Sequence, residues 1–116
     1  MARTVVFDFD GVIHSYTSGF IGIDNIPDPP VEGIKDTIAQ LRKEGYKVVV
    51  VTTRATQPAG KFAVIRWLHK HRIAVDDVTG QKPPAMVYVD DRAICFNGNT
   101  EGLVEQVKNF EPWNRK

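Results

Sequence analysis

Asp8 and Asp10, two positions apart, close the segment Thr4-Val5-Val6-Phe7-Asp8-Phe9-Asp10-Gly11, and a second acidic pair, Asp90 and Asp91, closes Met86-Val87-Tyr88-Val89. Between the pairs, Thr52, Thr53 and Arg54 follow the apolar run Val48-Val49-Val50-Val51, and Lys82 precedes Pro83. Carboxylates gathered at one place repel one another, and a divalent cation is the usual means of holding them together. With oxygen donors and no cluster of cysteine or histidine, the hard ion Mg²⁺ suits these residues better than zinc. A cation beside Asp8 would also let a carboxylate attack an anionic phosphoryl group, because it neutralises charge on both partners.

That chemistry requires elements that carry the acids to one place. Residues 4–7 are β-branched and aromatic and stop at a strand-breaking cluster, which reads as a buried strand. Residues 46–51 form a near-continuous apolar run, the pattern of a parallel strand covered on both faces. Residues 86–89 read as a further buried strand, and 73–78 and 94–96 as short ones. Val31, Ile34, Ile38 and Leu41 recur at helical spacing, so a helix is predicted over 31–44, with Pro30 at its start and Gly45 at its C-cap. A second helix is predicted over 58–71 with Phe62, Ile65, Leu68 and Trp67 facing inward, and a last one over 101–109, before a frayed tail from residue 112. Residues 12–30, broken by Gly19, Gly22, Pro27, Pro29 and Pro30, read as a loop or flap. Strands alternating with helices predict an α/β fold, a doubly wound parallel sheet with helices on both faces, as a single domain over 1–116. Ligands of such sheets bind beyond the carboxyl ends of the strands, where Asp8/Asp10, Thr52/Thr53 and Asp90/Asp91 would converge.

Asp8-Phe9-Asp10-Gly11-Val12 resembles the first signature of the haloacid dehalogenase superfamily of phosphotransferases. Three further signatures follow in the family's order: a hydrophobic strand ending in Thr52, the pair Lys82-Pro83, and Asp90-Asp91 after residues 86–89. The resemblance implies that Asp8 attacks phosphorus to form an aspartyl-phosphate, while Asp10 protonates the leaving oxygen and later activates water. It implies that Thr52 hydrogen-bonds a phosphoryl oxygen and that Lys82 stabilises charge, with Thr53 and Lys61 as the competing residues for these roles. Mg²⁺ would lie between Asp8, the backbone carbonyl of Asp10 and the acidic pair, with Asp91 in the place of the family's usual ligand and Asp90 bound through water. Gly11 is a candidate substrate contact, and Arg54 either contacts substrate or pairs with a neighbouring acid. The segments at 12–30 and 55–81 leave no room for the cap domain of many relatives. A capless core with an open site is therefore implied, as in relatives that act on bulky substrates or cover the site with a second copy of the chain.

Fifteen basic and fourteen acidic side chains give a formal net charge of +1, so the charge balance favours neither nucleic acid nor an anionic membrane as partner. No apolar stretch approaches the ~18 residues of a membrane span. Cys95 is the single cysteine, it is expected in the core, and the residues after Met1 do not resemble a signal peptide, so a cytoplasmic protein is expected. Trp67 and Trp113 are expected to pack, and His14, just after the nucleophile loop where it could contact a leaving group, is read as incidental to the loop. The expected function is hydrolysis of a phosphomonoester, such as a nucleotide, a sugar phosphate or a bulkier phosphorylated molecule. The rival is a signalling or binding module without turnover. A response-regulator receiver shares the size, fold and residue types, but its acidic pair comes first and its phosphoacceptor later, the reverse of the order here.

Overall fold

Two runs of β-branched residues, β1 (Thr4–Asp8) and β2 (Lys47–Val51), lie side by side and parallel at the centre of the sheet, with Val5 opposite Val48 and Phe7 opposite Val50. The computed structural model describes residues 3–115. β3 (Asp77–Thr79) pairs in parallel with β2, and β4 (Val87–Val89) with β1, giving the order β3-β2-β1-β4. The chain thus winds outward from β1 through β2 to β3 and then returns to the far side of β1. The reversal makes the crevice between β1 and β4 the topological switch point, where ligands of open parallel sheets bind.

Alternation along the strands sends Val5, Phe7, Val48, Val50 and Val78 to one face. There they join Ile38 of α1 (Ile34–Lys43) and Val64, Trp67 and Leu68 of α2 (Pro58–Lys70) in one apolar cluster. At about 25 cal/mol per Å² of apolar surface removed from water, this cluster dominates the stability of the fold. α1 begins three residues later than its periodicity predicts. The Val31 N–H is committed to the Ile13 carbonyl and Pro30 pairs with His14, so helical bonding starts only after Gly33, whose φ is 84°. α2 begins at Pro58, the first helical position, where the missing N–H costs nothing. Its buried face is Gly60, Val64, Trp67 and Leu68, whereas Phe62 and Ile65, expected inward, are exposed. The face set by 60, 64, 67 and 68 brings glycine against the loop after β2, and Phe62 instead lies under Arg66, 4.6 Å from its guanidinium carbon.

The second face departs further from expectation. α3 (Leu103–Lys108) buries none of its residues, so it does not supply the predicted covering layer. Residues 81–84 of the β3–β4 connection instead line a cavity of about 580 Å³ on that face, together with Thr4, Lys47, Val49, Asp77 and Thr79. β4 is an edge strand whose three residues are all exposed, in place of the buried strand expected from its composition. Residues 94–96 form no strand, and Cys95 is exposed rather than part of the core. Among the described residues, no helix is long and apolar enough to cross a membrane.

Candidate functional site

Parallel pairing of β1 with β4 sets the end of one strand beside the end of the other, and this brings together the acids that the sequence separates by about eighty positions. Asp8, Asp90 and Asp91 offer carboxylate oxygens that all lie within 4.8 Å of one another. Asp8 pays for that crowding electrostatically: burial, the charge of Asp90 and a side-chain hydrogen bond with Asp91 push its carboxyl up to about 8. Gly11 permits the approach. It is buried with φ 89°, and a Cβ there would stand 2.1 Å from Asp91 Oδ2. Asp91 Oδ1 is buried without a hydrogen-bond partner among the described residues, an acceptor that a cation would satisfy. Crowded carboxylates, an orphaned acceptor and a side-chain-free approach together fit an oxygen-ligated divalent ion such as Mg²⁺.

Asp10 is not part of this cluster. Its two oxygens are taken by two buried side chains: His14 Nδ1 lies 2.8 Å from Oδ1, and Arg54 Nε donates to Oδ2 at 2.8 Å. Burial pushes the Asp10 carboxyl up, but the hydrogen bonds from His14 and Arg54 and the charge of Arg54 outweigh it and hold the group below the usual carboxylate range. His14 itself is fully buried, stacked on Phe9 and edge-on to Trp67. The Asp28 N–H donates to its Nε2 at 3.1 Å, which leaves the ring proton on Nδ1, facing Asp10. Read as incidental in the sequence, His14 is an integral support of the site. Its separation of four from Asp10 is the only sequence signal of that role, and in a loop such a spacing has no fixed meaning.

The remaining predicted residues divide. Thr52 is buried at the end of β2 and its Oγ1 accepts from the Arg54 N–H, capping the 3₁₀ turn Thr53–Thr56 while its own hydroxyl proton stays available to donate. Thr53 is exposed in that turn. Arg54, read as either a substrate contact or the partner of a neighbouring acid, is 1% exposed and pairs with Asp10: beyond that ion pair Nη1 donates to the carbonyls of Gly22, Ile23 and Asn25, and Nη2 is buried without a partner among the described residues. Lys82 is exposed, with its ammonium 4.2 Å above the ring of Tyr88, a residue of the second face. Its rival Lys61 is an exposed residue of α2. Neither lysine is tied to the carboxylates by a hydrogen bond or ion pair among the described residues. Trp113, expected to pack in a frayed tail, is half-exposed in a short 3₁₀ turn and donates Nε1–H to the Gly11 carbonyl at 2.7 Å. Trp67 packs as expected.

No protein-family model matches the sequence, and no curated protein does. Among solved structures, a crystal structure of a target protein from Vibrio cholerae is similar at 20% identity and a TM-score of 0.52, covering 91% of this chain and 97% of that one. A chain in the structure of the Pnkp1/Rnl/Hen1 complex is similar at 16% identity and a TM-score of 0.55; the match covers 97% of this chain and 36% of that longer one. At such identities the likeness is one of fold, and it places this chain among parallel α/β domains.

Proposed function

We propose that the protein is a Mg²⁺-dependent phosphomonoester hydrolase of the haloacid dehalogenase type, working through an aspartyl-phosphate on Asp8 in a capless, doubly wound core. The observation that carries this reading is the meeting of Asp8, Asp90 and Asp91 at the switch point of a parallel sheet. Asp8 and Asp91, with Asp90 beside them, would hold the ion, which when bound supplies positive charge to a carboxylate attacking an anionic phosphoryl group. An oxygen of Asp8 forms the bond to phosphorus as the ester P–O bond breaks, and the leaving oxygen takes up a proton. Water then splits the acyl phosphate, restoring Asp8 and releasing inorganic phosphate. Thr52, buried after the end of β2, would donate its hydroxyl to a phosphoryl oxygen. Asp10, ionised by His14 and Arg54, is fit to activate the water, and must lose one of these donors to protonate a leaving group. A cytoplasmic setting, in which Cys95 stays reduced, belongs to the same reading.

The test is phosphate release from a broad panel of phosphate esters with Mg²⁺ or EDTA, comparing the native protein with Asp8→Asn. Metal-dependent turnover that the substitution abolishes is the expected result, and inactivity on every ester overturns the reading. A second reading, a phosphoaccepting module without turnover, is favoured by two observations: both oxygens of Asp10 are engaged, and among the described residues no lysine is bonded to the cluster. It predicts that Asp8 is labelled by a small phosphodonor such as acetyl phosphate and that the label persists.

A further inference from the structure

The flap at 12–30 has no regular secondary structure, yet its ends and its middle are both fastened to one carboxylate. Its neck is closed by backbone bonds from the Ser15 N–H to the Pro29 carbonyl and from the Val31 N–H to the Ile13 carbonyl. From Asp10 Oδ1 the chain of bonds runs through His14 to the backbone of Asp28, near the flap's return. From Oδ2 it runs through Arg54 to Gly22, Ile23 and Asn25, at the flap's middle, with donor–acceptor distances of 2.7, 2.9 and 3.3 Å. Phe20 lies over the same guanidinium, 5.3 Å from its central carbon. Arg54 is at the same time rigidly placed, because its backbone N–H is held by Thr52 at the end of β2 and its carbonyl is packed against Gly60 of α2.

We infer that Arg54 is a positioning residue: its buried guanidinium clamps the middle of the flap to Asp10, so that flap and carboxylate move as one unit and the flap is a fixed wall of the site. Only a planar group with several donors spans this gap, since one nitrogen, Nε, must meet a carboxylate oxygen while another, Nη1, meets three carbonyls. A lysine ammonium reaching Asp10 leaves the three carbonyls behind. The clamp makes Asp10's position depend on residues 22–25, to which the sequence gives no evident link. The kinetic part of this inference rests on the phosphatase reading, whereas the clamp itself does not.

The experiment compares native protein, Arg54→Lys and Arg54→Ala, the last with and without millimolar guanidinium, by amide hydrogen exchange and by steady-state turnover of an ester that the native enzyme hydrolyses. Opening the clamp is expected to speed exchange of the Ser18, Gly19 and Asn25 amides at least about tenfold in both variants, with β1 and β2 amides unchanged. Turnover is expected to fall on the order of 10²-fold in kcat, with KM changed less than about threefold, because the misplaced group acts on the reacting centre. Added guanidinium is expected to restore both exchange protection and kcat to Arg54→Ala but to leave Arg54→Lys unchanged. Native-like flap exchange in a folded Arg54→Lys or Arg54→Ala overturns the clamp, as does a loss that guanidinium does not repair. Since exchange is read without substrate, a protein that turns nothing over still tests it. Accelerated flap exchange together with unaltered kcat in an active enzyme overturns the positioning role alone and leaves the phosphatase reading standing.

Discussion

Gly11 and Asp91 meet so closely that a Cβ on Gly11 would stand 2.1 Å from Asp91 Oδ2, which makes a missing side chain the contact between the loop after β1 and the acid after β4. The same glycine holds φ at 89°, a conformation that costs an L-residue of order 1–3 kcal/mol. Gly11→Ala is therefore expected to lower stability by about 2 kcal/mol and also to displace Asp91. Urea unfolding reads the first effect and a Mg²⁺ titration the second. Weakened ion binding with unchanged stability would leave strain at Gly11 without support.

Asp8 predicts an unusual dependence of stability on pH. Its carboxyl is raised from 3.8 to about 8 by burial, the charge of Asp90 and the hydrogen bond to Asp91. Between those values the native state keeps a proton that the unfolded chain has lost, so the contribution of Asp8 to stability declines as pH rises. Metal-free protein is expected to show a urea midpoint that falls from pH 5 to pH 8. Asp8→Asn flattens the slope, and Mg²⁺ restores the midpoint at pH 8. A metal-free midpoint that rises over this range contradicts the crowding.

His14 is completely buried, and both of its ring nitrogens are engaged. Removing it leaves Asp10 Oδ1 and the Asp28 N–H without their partner in the interior, where each lost pairing costs ~1–3 kcal/mol. His14→Ala is expected to destabilise the protein by about 3 kcal/mol, taking the lower part of that range for each group plus lost packing against Phe9 and Trp67. His14→Gln, whose amide offers an NH2 donor group and a carbonyl acceptor, recovers part of the loss. Thermal unfolding of the two variants side by side decides the matter.

Gly60 lies inside α2, where alanine is normally favoured by about 1 kcal/mol. Here its Cβ would sit 2.0 Å from the Arg54 carbonyl oxygen and 2.7 Å from Ile23 Cγ1, so backbone and flap would have to move. Overpacking of this kind costs about 1–3 kcal/mol, and against a carbonyl oxygen fixed in a turn the upper end applies. Gly60→Ala is expected to reduce stability by about 2 kcal/mol despite its better helix propensity. A rise in melting temperature would show that helix and flap are not packed as described.

Local pattern by itself determined the strands at 4–8 and 47–51, the helices around 34–43 and 58–70, and the placing of Asp8 and Asp90/Asp91 at strand ends. Those features depend on runs and periods within a few residues, which burial on a sheet or helix face imposes directly. Tertiary structure alone decided how the remaining residues are used. β4 carries an interior composition, yet it is an edge strand beside β1 and its residues stay exposed. The inward face of α2 is set by how closely Gly60 approaches the Arg54 carbonyl, so Val64 is buried while Phe62 and Ile65 are exposed. Arg54 pairs with Asp10 across 44 positions and with flap carbonyls across 29 to 32, and Trp113 reaches Gly11 across 102. Contacts at such separations leave no period in the chain, because a side chain's partner is chosen by which strand ends the parallel sheet sets next to each other.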